Sequence, residues 1–375
     1  MVVTEPLPIA PSRPERLEAL TGVRALAAFG VVMYHFADVI YGLLPALRFT
    51  RPVVSQGFLG VDLFFVLSGF ILSLNYLEQF AGGVKSRHWL HFIRLRLARI
   101  WPAHIFSLHV VVVMYFGAKL LGLTLVTADS IRYTFPAYLE NITLTQAWLS
   151  GGRAPRLSWN GPAWTISAEW AAYLLFPFLA VGIARVRSLG QALVGVVGAY
   201  GVWLSIVTIL LWNRPETSAI STAMVRIGTE FTAGCLLFVV YRKLPRRSTV
   251  PLATLAAVTT VLLTWFIHWK YGRGYVLTPL FGVLVLGLAR DDAWLGGVLR
   301  RPTARFWGEI SYSLYLMHQI VGIVLNKMIP FNRFAQQTLP LRLGVVAIYF
   351  LLTGVVSVLT YRLIERPGRQ LLMRR

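Results

Sequence analysis

The sequence contains few charged residues, and few of those are acidic. Charged side chains make up 14% of the 375 residues, whereas a soluble domain carries about 25%. Lys and Arg number 36 against 15 Asp and Glu, which gives a formal net charge of +21. The basic residues lie mainly in short segments between apolar stretches and not in one cluster, so they do not indicate a nucleic-acid-binding protein. We predict no nucleic-acid partner.

Cysteine is nearly absent as well. The single cysteine, Cys235, lies inside an apolar stretch, which excludes a disulfide framework and a cysteine-based metal site. No pair of His, Asp or Glu has the spacing of metal ligands on one helix, such as two histidines four residues apart, and we predict no metal. Residues 1–20 contain four prolines and lack the long apolar core of a signal peptide. We interpret them as a cytoplasmic N-terminal tail.

Long apolar stretches, by contrast, are abundant. Hydrophobic residues make up 56% of the chain, and stretches of about 18 to 25 apolar residues recur along it, each long enough to cross a hydrocarbon core about 30 Å thick. The predicted fold is an all-α integral membrane protein with about ten transmembrane helices. The predicted spans are residues 22–42, 57–77, 98–122, 160–183, 190–212, 219–241, 250–268, 274–290, 308–328 and 341–363.

The distribution of Lys and Arg predicts the orientation. Most of them fall in segments on the same side as the N-terminus, so the positive-inside rule places both termini in the cytoplasm. The predicted organisation is a membrane domain over residues 21–366, followed by a cytoplasmic tail over residues 367–375. Arginine outnumbers lysine 31 to 5, which indicates a GC-rich bacterial source. We therefore predict a multi-pass protein of the bacterial cytoplasmic (inner) membrane.

The first predicted helix carries two ionisable residues inside the apolar region. A charged side chain at the bilayer centre costs about 2.5–3.5 kcal/mol on insertion scales, so such residues are candidates for function. Arg24 lies near the inner end, and His35 follows eleven residues later, which corresponds to about 16 Å of rise and an angular offset of about 20°. Both side chains are therefore predicted to point from one helix face, at a separation comparable with the reach of a pantetheine arm.

Four further predicted helices carry ionisable residues at similar depth. These residues are Asp62, Glu169, the pair Arg226 and Glu230, and His318. Together with the histidine of the first helix they indicate a central hydrophilic cavity filled with water. Structural alternatives stay open: Asp62 could cap its helix, and Glu169 and His318 could bond neighbouring groups. Arg226 and Glu230, four residues apart, are interpreted as a structural ion pair.

A second basic site precedes the third predicted span. Arg94, Arg96 and Arg99 are followed by Trp101 and Pro102. The three-residue spacing puts Arg96 and Arg99 on one helix face at the cytoplasmic mouth. Guanidinium groups bind phosphate bidentately and stay ionised, so a nucleotide-like anion is the predicted ligand. The positive-inside bias alone also accounts for some of these arginines.

Six segments, in order along the chain, resemble the membrane-bound acyltransferase family 3. The segments are LTGVRALAAFGVVMYHF with Arg24 and His35, GFLGVDLFFVLSGFILS with Asp62, RLRLARIWP with Arg96 and Arg99, GPAWTISAEWAAYLLFP with Glu169, RIGTEFTAGCLLF with Glu230, and ISYSLYLMHQIV with His318. In the fourth segment Thr165 stands where the family usually has serine. The resemblance therefore carries over a hydroxyl at this position but not a serine.

The resemblance implies an activity. Family members move an acyl group, often acetyl, from acyl-CoA to a hydroxyl that is commonly on a sugar. Acyl-CoA is thus the implied co-substrate, with no metal, and the lipid bilayer is the implied environment. The implied acceptor is a surface polysaccharide, a lipid-linked sugar or a macrolide-like metabolite. The choice among these acceptors and the length of the acyl chain stay open at this point.

On this interpretation His35 is the general base that removes the proton of the acceptor hydroxyl, because a neutral imidazole suits that task at neutral pH. Asp62 or Glu169 is the candidate for fixing the tautomer of His35. His318 is a further catalytic candidate in the same layer. A covalent acyl-histidine relay is an alternative route.

The same interpretation assigns the phosphates of the donor to Arg24, Arg96 and Arg99. Two other classes of protein also fit the buried charges. A proton-coupled transporter would use the same intramembrane residues as a relay, and an acyl-lipid-binding scaffold would need no chemistry. Release of free CoA thiol that depends on an acceptor distinguishes the enzyme from both.

Overall fold

The computed structural model describes residues 17–123, 131–148, 157–213, 222–244, 251–266, 273–290 and 294–374. Within these ranges the chain is almost entirely helical, which confirms the predicted all-α class. The predicted N-terminal tail lies outside the described residues, apart from residues 17–20.

The α-helices succeed one another along the whole described chain. They are α1 Glu18–His35, α2 Ala37–Leu43, α3 Arg51–Val54, α4 Gly60–Phe80, α5 Ser86–Leu120, α6 Phe135–Ile142, α7 Trp164–Ile183, α8 Leu189–Asn213, α9 Ala223–Lys243, α10 Leu252–Phe266, α11 Thr278–Ala289, α12 Leu295–Leu299, α13 Pro302–Glu309, α14 Ser311–Met328, α15 Leu339–Thr360 and α16 Arg366–Met373.

Shorter elements connect these helices. Turns of 3-10 helix occur at Pro45–Thr50, Gly57–Leu59, Gly161–Ala163, Arg273–Leu277 and Phe331–Phe334, and a π-helix occupies Tyr361–Glu365. The strands in the described ranges are β1 (Ile131–Arg132) and β2 (Leu157–Ser158), which pair in parallel. Both strands lie in the long connection between α5 and α7.

Several of the helices are long and apolar enough to cross a membrane. Six segments of the described chain meet this requirement, namely Pro45–Phe80, Ser86–Leu120, Gly161–Ile183, Leu189–Ile209, Ala223–Lys243 and Leu339–Met373. The bent pair α1 and α2 makes seven if it is counted as one span, and α10 and α11 coincide with shorter apolar helices. Each of the ten predicted spans contains a helix, but a count of ten membrane crossings is not confirmed.

The first predicted span is not one continuous helix. α1 ends at His35, and the axis of α2 is bent by 62° from it, so the prediction of a single helix over residues 22–42 is wrong. Neither proline nor glycine stands at the break. Phe36, between the two helices, packs its ring against Tyr349 and Phe350 of α15, with centroid distances of 5.5 and 5.6 Å. Tertiary packing therefore turns the chain here and leaves His35 at the end of α1.

α5 is longer than the third predicted span. It covers 35 residues, about 52 Å at about 1.5 Å per residue, against a hydrocarbon core about 30 Å thick. The predicted start at residue 98 is wrong because hydropathy registers the apolar part of a helix and not its charged continuation. Arg94, Arg96 and Arg99, which were expected to precede the helix, lie inside it.

α4 and α9 pack with their backbones in contact. A Cβ atom built on Gly69 of α4 would lie 2.0 Å from the carbonyl oxygen of Phe231. One built on Gly234 of α9 would lie 2.1 Å from the carbonyl oxygen of Val66. Only glycine permits so close an approach at these two positions. The contact holds α4, which carries Asp62, directly against α9.

The residues predicted as a C-terminal tail form a helix that packs on the rest of the molecule. The π-helix joins α15 to α16, and α16 lies against α5. A Cβ atom on Gly368 of α16 would lie 2.6 Å from Cβ of Pro102, so the two helices touch closely there. The cytoplasmic location of this helix stays a prediction.

Candidate active site

Residues from α1, α4, α5, α7 and α14 line a cavity of about 150 Å³, and the space counted out into open solvent is about 920 Å³. Its ionisable lining residues are Arg24, Arg96, Arg99 and Glu169, and its hydroxyl groups come from Ser68, Thr165, Tyr173, Ser311, Tyr312 and Tyr315. Four of the residues predicted to form the site therefore surround one space, although they come from three helices that are distant in sequence.

Arg24 and Arg96 have unused hydrogen-bonding capacity. In each residue the Nε atom is buried and has no hydrogen-bond partner. Arg96 donates from its guanidinium to the hydroxyl of Tyr76 at 3.1 Å and lies 5.2 Å from the centroid of that ring. Burying an unsatisfied polar group is costly, so both side chains favour an anionic ligand in the cavity.

Arg99 is paired with a carboxylate that was not predicted from the sequence. Its guanidinium forms a salt bridge with Glu365, and the other oxygen of Glu365 accepts a hydrogen bond from Ser313 at 2.6 Å. Glu365 lies two residues beyond the end of the last predicted span and is buried at 1% exposure. The sequence feature that could have identified Glu365 is its position as a single acidic residue in an otherwise basic segment, which includes Arg362 and Arg366.

Glu169 faces the cavity and also bonds a neighbouring helix. It accepts a hydrogen bond from Ser68 of α4 at 3.0 Å and another from Tyr173, one turn along α7. Thr165, one turn earlier, places its hydroxyl 3.1 Å from that of Tyr315 on α14. Thr165 thus places a hydroxyl in the site, as the sequence resemblance implies.

His35 and His318 form a pair of imidazoles. Nε2 of His318 lies 3.2 Å from Nδ1 of His35, and the ring centroids are 4.8 Å apart. His318 is completely buried on α14, whereas His35 is exposed at the end of α1. The sequence predicted both residues at one depth but gave no indication that they touch.

The surrounding hydrogen bonds assign the tautomer of each ring. Nδ1 of His318 lies 2.7 Å from the carbonyl oxygen of Tyr315, so Nδ1 carries the proton and Nε2 accepts. Nδ1 of His35 lies 2.9 Å from the carbonyl oxygen of Val31 and 3.2 Å from Nε2 of His318. Because both neighbours are acceptors, Nδ1 of His35 carries its proton. The lone pair of Nε2 of His35 is then free to accept a proton from a substrate.

Arg24 and His35 lie on one unbroken helix. The eleven-residue spacing between them is regular, because α1 extends from Glu18 to His35. Arg24 lines the cavity, and His35 contacts His318 of α14. The helical relationship on which the prediction of one shared face was based is therefore present.

The expected single chamber is divided in the structure. His35 is not among the residues that line the described cavity. Tyr315 does line it, and its ring centroid lies 5.9 Å from that of His318 and 6.3 Å from that of Phe64. One layer of aromatic side chains therefore separates the arginine-lined cavity from the histidine pair.

The predicted ion pair between Arg226 and Glu230 is wrong. Arg226 forms a bidentate pair with Asp62 instead, at 3.1 Å from Nε to Oδ1 and 2.6 Å from Nη2 to Oδ2. Its guanidinium also lies over the rings of Trp164 and Tyr275. In the described ranges neither carboxylate oxygen of Glu230 has a hydrogen-bond partner. The i,i+4 rule considers one helix only, whereas the close α4–α9 contact supplies a better-oriented carboxylate.

Asp62 and Glu169 do not hold His35 in the way that was expected. Asp62 is bound to Arg226, and Glu169 to Ser68 and Tyr173. The partners of Nδ1 of His35 are Val31 and His318, so these groups orient the ring. In the part of the chain that the structure describes, no group of three or more His, Cys, Asp and Glu side chains is placed to hold a metal ion.

Proteins similar to this chain carry acyltransferase names. The protein named O-acetyltransferase OatA from Staphylococcus aureus strain NCTC 8325 / PS 47 is 24% identical over 379 residues, covering 95% of this chain and 58% of that protein. The putative O-acetyltransferase SACOL0978 of strain COL is 24% identical over 378 residues, covering 94% and 57%. The chain thus spans less than two thirds of the length of these relatives. No solved structure matches it.

The family comparison covers nearly the whole chain. A family model described as an acyltransferase domain, that of acyltransferase family 3, matches residues 17–362. The match includes every candidate site residue except Glu365, which follows its last position. The chain therefore belongs to acyltransferase family 3.

Proposed function

We propose that this protein is an O-acyltransferase that moves an acyl group, in the first instance acetyl, from acyl-CoA to a hydroxyl of a carbohydrate or glycosylated small molecule. The observation that carries the proposal is the free Nε2 of His35, on the same helix as the cavity-lining Arg24 and oriented by His318. The names of the relatives, O-acetyltransferase and putative O-acetyltransferase, support transfer of acetyl to oxygen.

The donor is assigned to the cavity. Arg24, Arg96 and Arg99 line it, and guanidinium groups are suited to bind a pyrophosphate and a phosphate monoester. From Arg24 to His35 the rise along α1 is about 16 Å, a distance that an extended pantetheine arm spans. The acyl end of the donor would then have to pass the layer formed by Phe64 and Tyr315 to meet the imidazole.

The proposed transfer is a direct acyl exchange with His35 as general base. Nε2 of His35 takes the proton of the acceptor hydroxyl while its oxygen bonds to the thioester carbonyl carbon. The carbon–sulfur bond breaks, the thiolate leaves, and the imidazolium returns the proton to it as CoA thiol. His318 accepts a hydrogen bond from Nδ1 of His35 throughout, which keeps Nε2 as the basic nitrogen.

The proposed setting is the bacterial cytoplasmic membrane with both termini in the cytoplasm. The apolar helices support a multi-pass protein, and the relatives are bacterial. The basic segments predict that the arginine-lined mouth opens to the cytoplasm, where acyl-CoA is found. A surface polysaccharide, a lipid-linked sugar and a macrolide-like metabolite are the candidate acceptors.

Acceptor-dependent release of CoA thiol by the purified protein in detergent tests this proposal. We expect release with acetyl-CoA and an oligosaccharide acceptor, and a loss of about 10²–10⁴-fold in turnover for His35→Ala, the usual contribution of a general base. His109→Ala is the matched control, because His109 is exposed on α5 and bonds Tyr138, away from the cavity lining. Normal turnover of His35→Ala would overturn the assignment of the base.

The same experiment distinguishes an acyltransferase from a proton-coupled transporter. A proton-coupled transporter would release no thiol with any acceptor, yet would move protons across the membrane of a proteoliposome when substrate is supplied. Mass spectrometry of cell glycans and small products, with and without the protein, then identifies the acceptor by its added acyl mass.

A further inference from the structure

The C-terminal helix α16 packs on α5, the helix that carries Arg96 and Arg99 of the cavity lining. Nε of Arg94 donates a hydrogen bond to the carbonyl oxygen of Leu372 at 3.0 Å, which satisfies a carbonyl group in the last turn of α16. The close contact of Gly368 with Pro102 fixes its middle, and the salt bridge of Glu365 with Arg99 fixes the segment that leads into it. α16 follows residue 362, the last position matched by the family model.

This attachment brings a further guanidinium near two of the cavity-lining arginines. Arg369 follows Gly368, which packs on Pro102 one turn beyond Arg99, and its charge interacts with those of Arg99, Arg96 and Glu365. Its side chain is exposed, so it remains accessible to a ligand from solution. Arg369 does not itself line the cavity, and it adds a fourth guanidinium beside the three that do.

The carboxylates nearby do not neutralise these four charges. Glu365 forms a salt bridge with Arg99 and accepts a hydrogen bond from Ser313. Glu169 accepts hydrogen bonds from Ser68 and Tyr173. Even if both carboxylates are counted against the four guanidinium groups, an excess of positive charge is left. Two of the arginines also have a buried Nε without a hydrogen-bond partner. Like charges held together in this way are stabilised by a bound polyanion.

We propose that α16 extends the donor site beyond the cavity lining and that Arg369 binds a phosphate of the nucleotide part of the acyl donor, next to Arg96 and Arg99. This inference rests on the proposed function, because it takes a phosphorylated acyl carrier as the ligand. Arg94 is a positioning residue in this scheme, since it holds α16 through Leu372 and does not line the cavity. The phosphate group is the shared chemistry of two sources, the soluble carrier and an anionic lipid headgroup, and the position of Arg369 beside two cavity-lining arginines favours the carrier.

Calorimetric titration of the purified full-length protein in a neutral detergent tests the role of Arg369. We expect Arg369→Ala to weaken binding of free CoA by about three- to tenfold at low salt, the range for one partly exposed charge pair. The difference should shrink at high salt, and it should vanish for pantetheine, which carries no phosphate. The matched control is Arg374→Ala, five positions further on and about 140° around the helix.

A second pair of variants tests the position of α16 without changing any charge. A methyl group at Gly368 would collide with Pro102, whereas one at Gly344 of α15 meets nothing within 4 Å. We expect Gly368→Ala to weaken CoA binding and Gly344→Ala to leave it unchanged. Gly368→Ala and Arg369→Ala should be less than additive in the double variant, because both remove the same contact.

The outcomes separate this inference from the proposed function. If wild-type protein binds CoA more tightly than pantetheine but Arg369→Ala binds it equally well, the inference is wrong and the donor assignment stands. If wild-type protein binds no CoA, both are overturned. If Arg369→Ala changes only the binding of phosphatidylglycerol added to the micelles, α16 contacts a lipid headgroup and the inference is likewise overturned.

Discussion

Nε2 of His318 accepts a hydrogen bond from Nδ1 of His35 across 3.2 Å. The partner that orients the proposed base is therefore a second neutral imidazole and not a carboxylate. His318 can fill this role because its own Nδ1 proton is held by the carbonyl oxygen of Tyr315. Its burial on α14 also fixes the ring, so the proposed catalytic geometry depends on a residue that acts through His35.

Removal of His318 should reduce turnover without weakening donor binding. We expect His318→Ala to lower kcat by less than the range of about 10²–10⁴-fold for loss of a general base itself, with an unchanged KM for acetyl-CoA. His318→Gln should recover part of the rate, because its side-chain carbonyl can accept from Nδ1 of His35. Steady-state kinetics measure both constants.

The control for this variant is another buried histidine. His104 of α5 is fully buried and bonds the carbonyl oxygen of Asn141, so His104→Ala removes a comparable volume from a place that does not line the cavity. If both variants lose turnover equally, loss of packing explains the effect and the positioning role is wrong.

Arg24 should act on the nucleotide part of the donor. We expect Arg24→Ala to raise the KM for acetyl-CoA by about 10- to 100-fold, as for loss of a hydrogen bond to a charged group. Acetyl-pantetheine should be used equally well by wild-type protein and by the variant. Arg87→Ala, at an exposed position on the first turn of α5, is the control. If Arg24→Ala raised the KM equally for acetyl-CoA and acetyl-pantetheine, Arg24 would not bind the phosphates.

Asp62 and Glu230 should differ in their effect on stability. Asp62→Asn removes the counterion of a buried guanidinium, which costs about 3–5 kcal/mol. Glu230→Gln keeps the shape of a side chain that has no hydrogen-bond partner in the described ranges, and we expect a change within about 1 kcal/mol. Thermal unfolding in detergent measures both. If Glu230→Gln lost more stability than Asp62→Asn, the pairing of Arg226 with Asp62 would be contradicted and the predicted pairing of Arg226 with Glu230 supported.

The α4–α9 contact should not tolerate a methyl group. Gly234→Ala places a Cβ atom 2.1 Å from the carbonyl oxygen of Val66, and overpacking of this kind costs about 1–3 kcal/mol. Gly228→Ala, on the same helix with nothing within 4 Å, should be neutral or stabilising by up to about 1 kcal/mol. The melting temperatures of the two variants test this, and equal values would contradict the backbone contact.

The sequence predicted those features of the site that depend on one helix. The alignment of Arg24 with His35, and of Arg96 with Arg99, follows from the regular rise and rotation of an α-helix. Arg96 and Arg99 line one cavity, whereas His35 does not share that cavity with Arg24. Their position inside apolar stretches likewise identified Arg24 and Glu169 as candidates, and the spacing of a basic segment identified Arg96 and Arg99.

Features that depend on contacts between helices were not predictable in this way. The partner of Arg226 is 164 positions away in sequence, and the partner of Arg99 is 266 positions away. The break after His35 coincides with packing of Phe36 on α15, and neither glycine nor proline marks it in the sequence. A single sequence contains local periodicity, whereas these three features arise from which helices meet.

The glycine contact between α4 and α9 also bears on how the cavity can open for the proposed donor. Two helices whose backbones touch have no side-chain layer in which to slide, so we expect α4 and α9 to move as one unit. Their Asp62–Arg226 bond adds a further crosslink. Widening of the cavity during a catalytic cycle is therefore left to α1, α5, α7 and α14, and mobility measurements on these four should report donor entry and product exit.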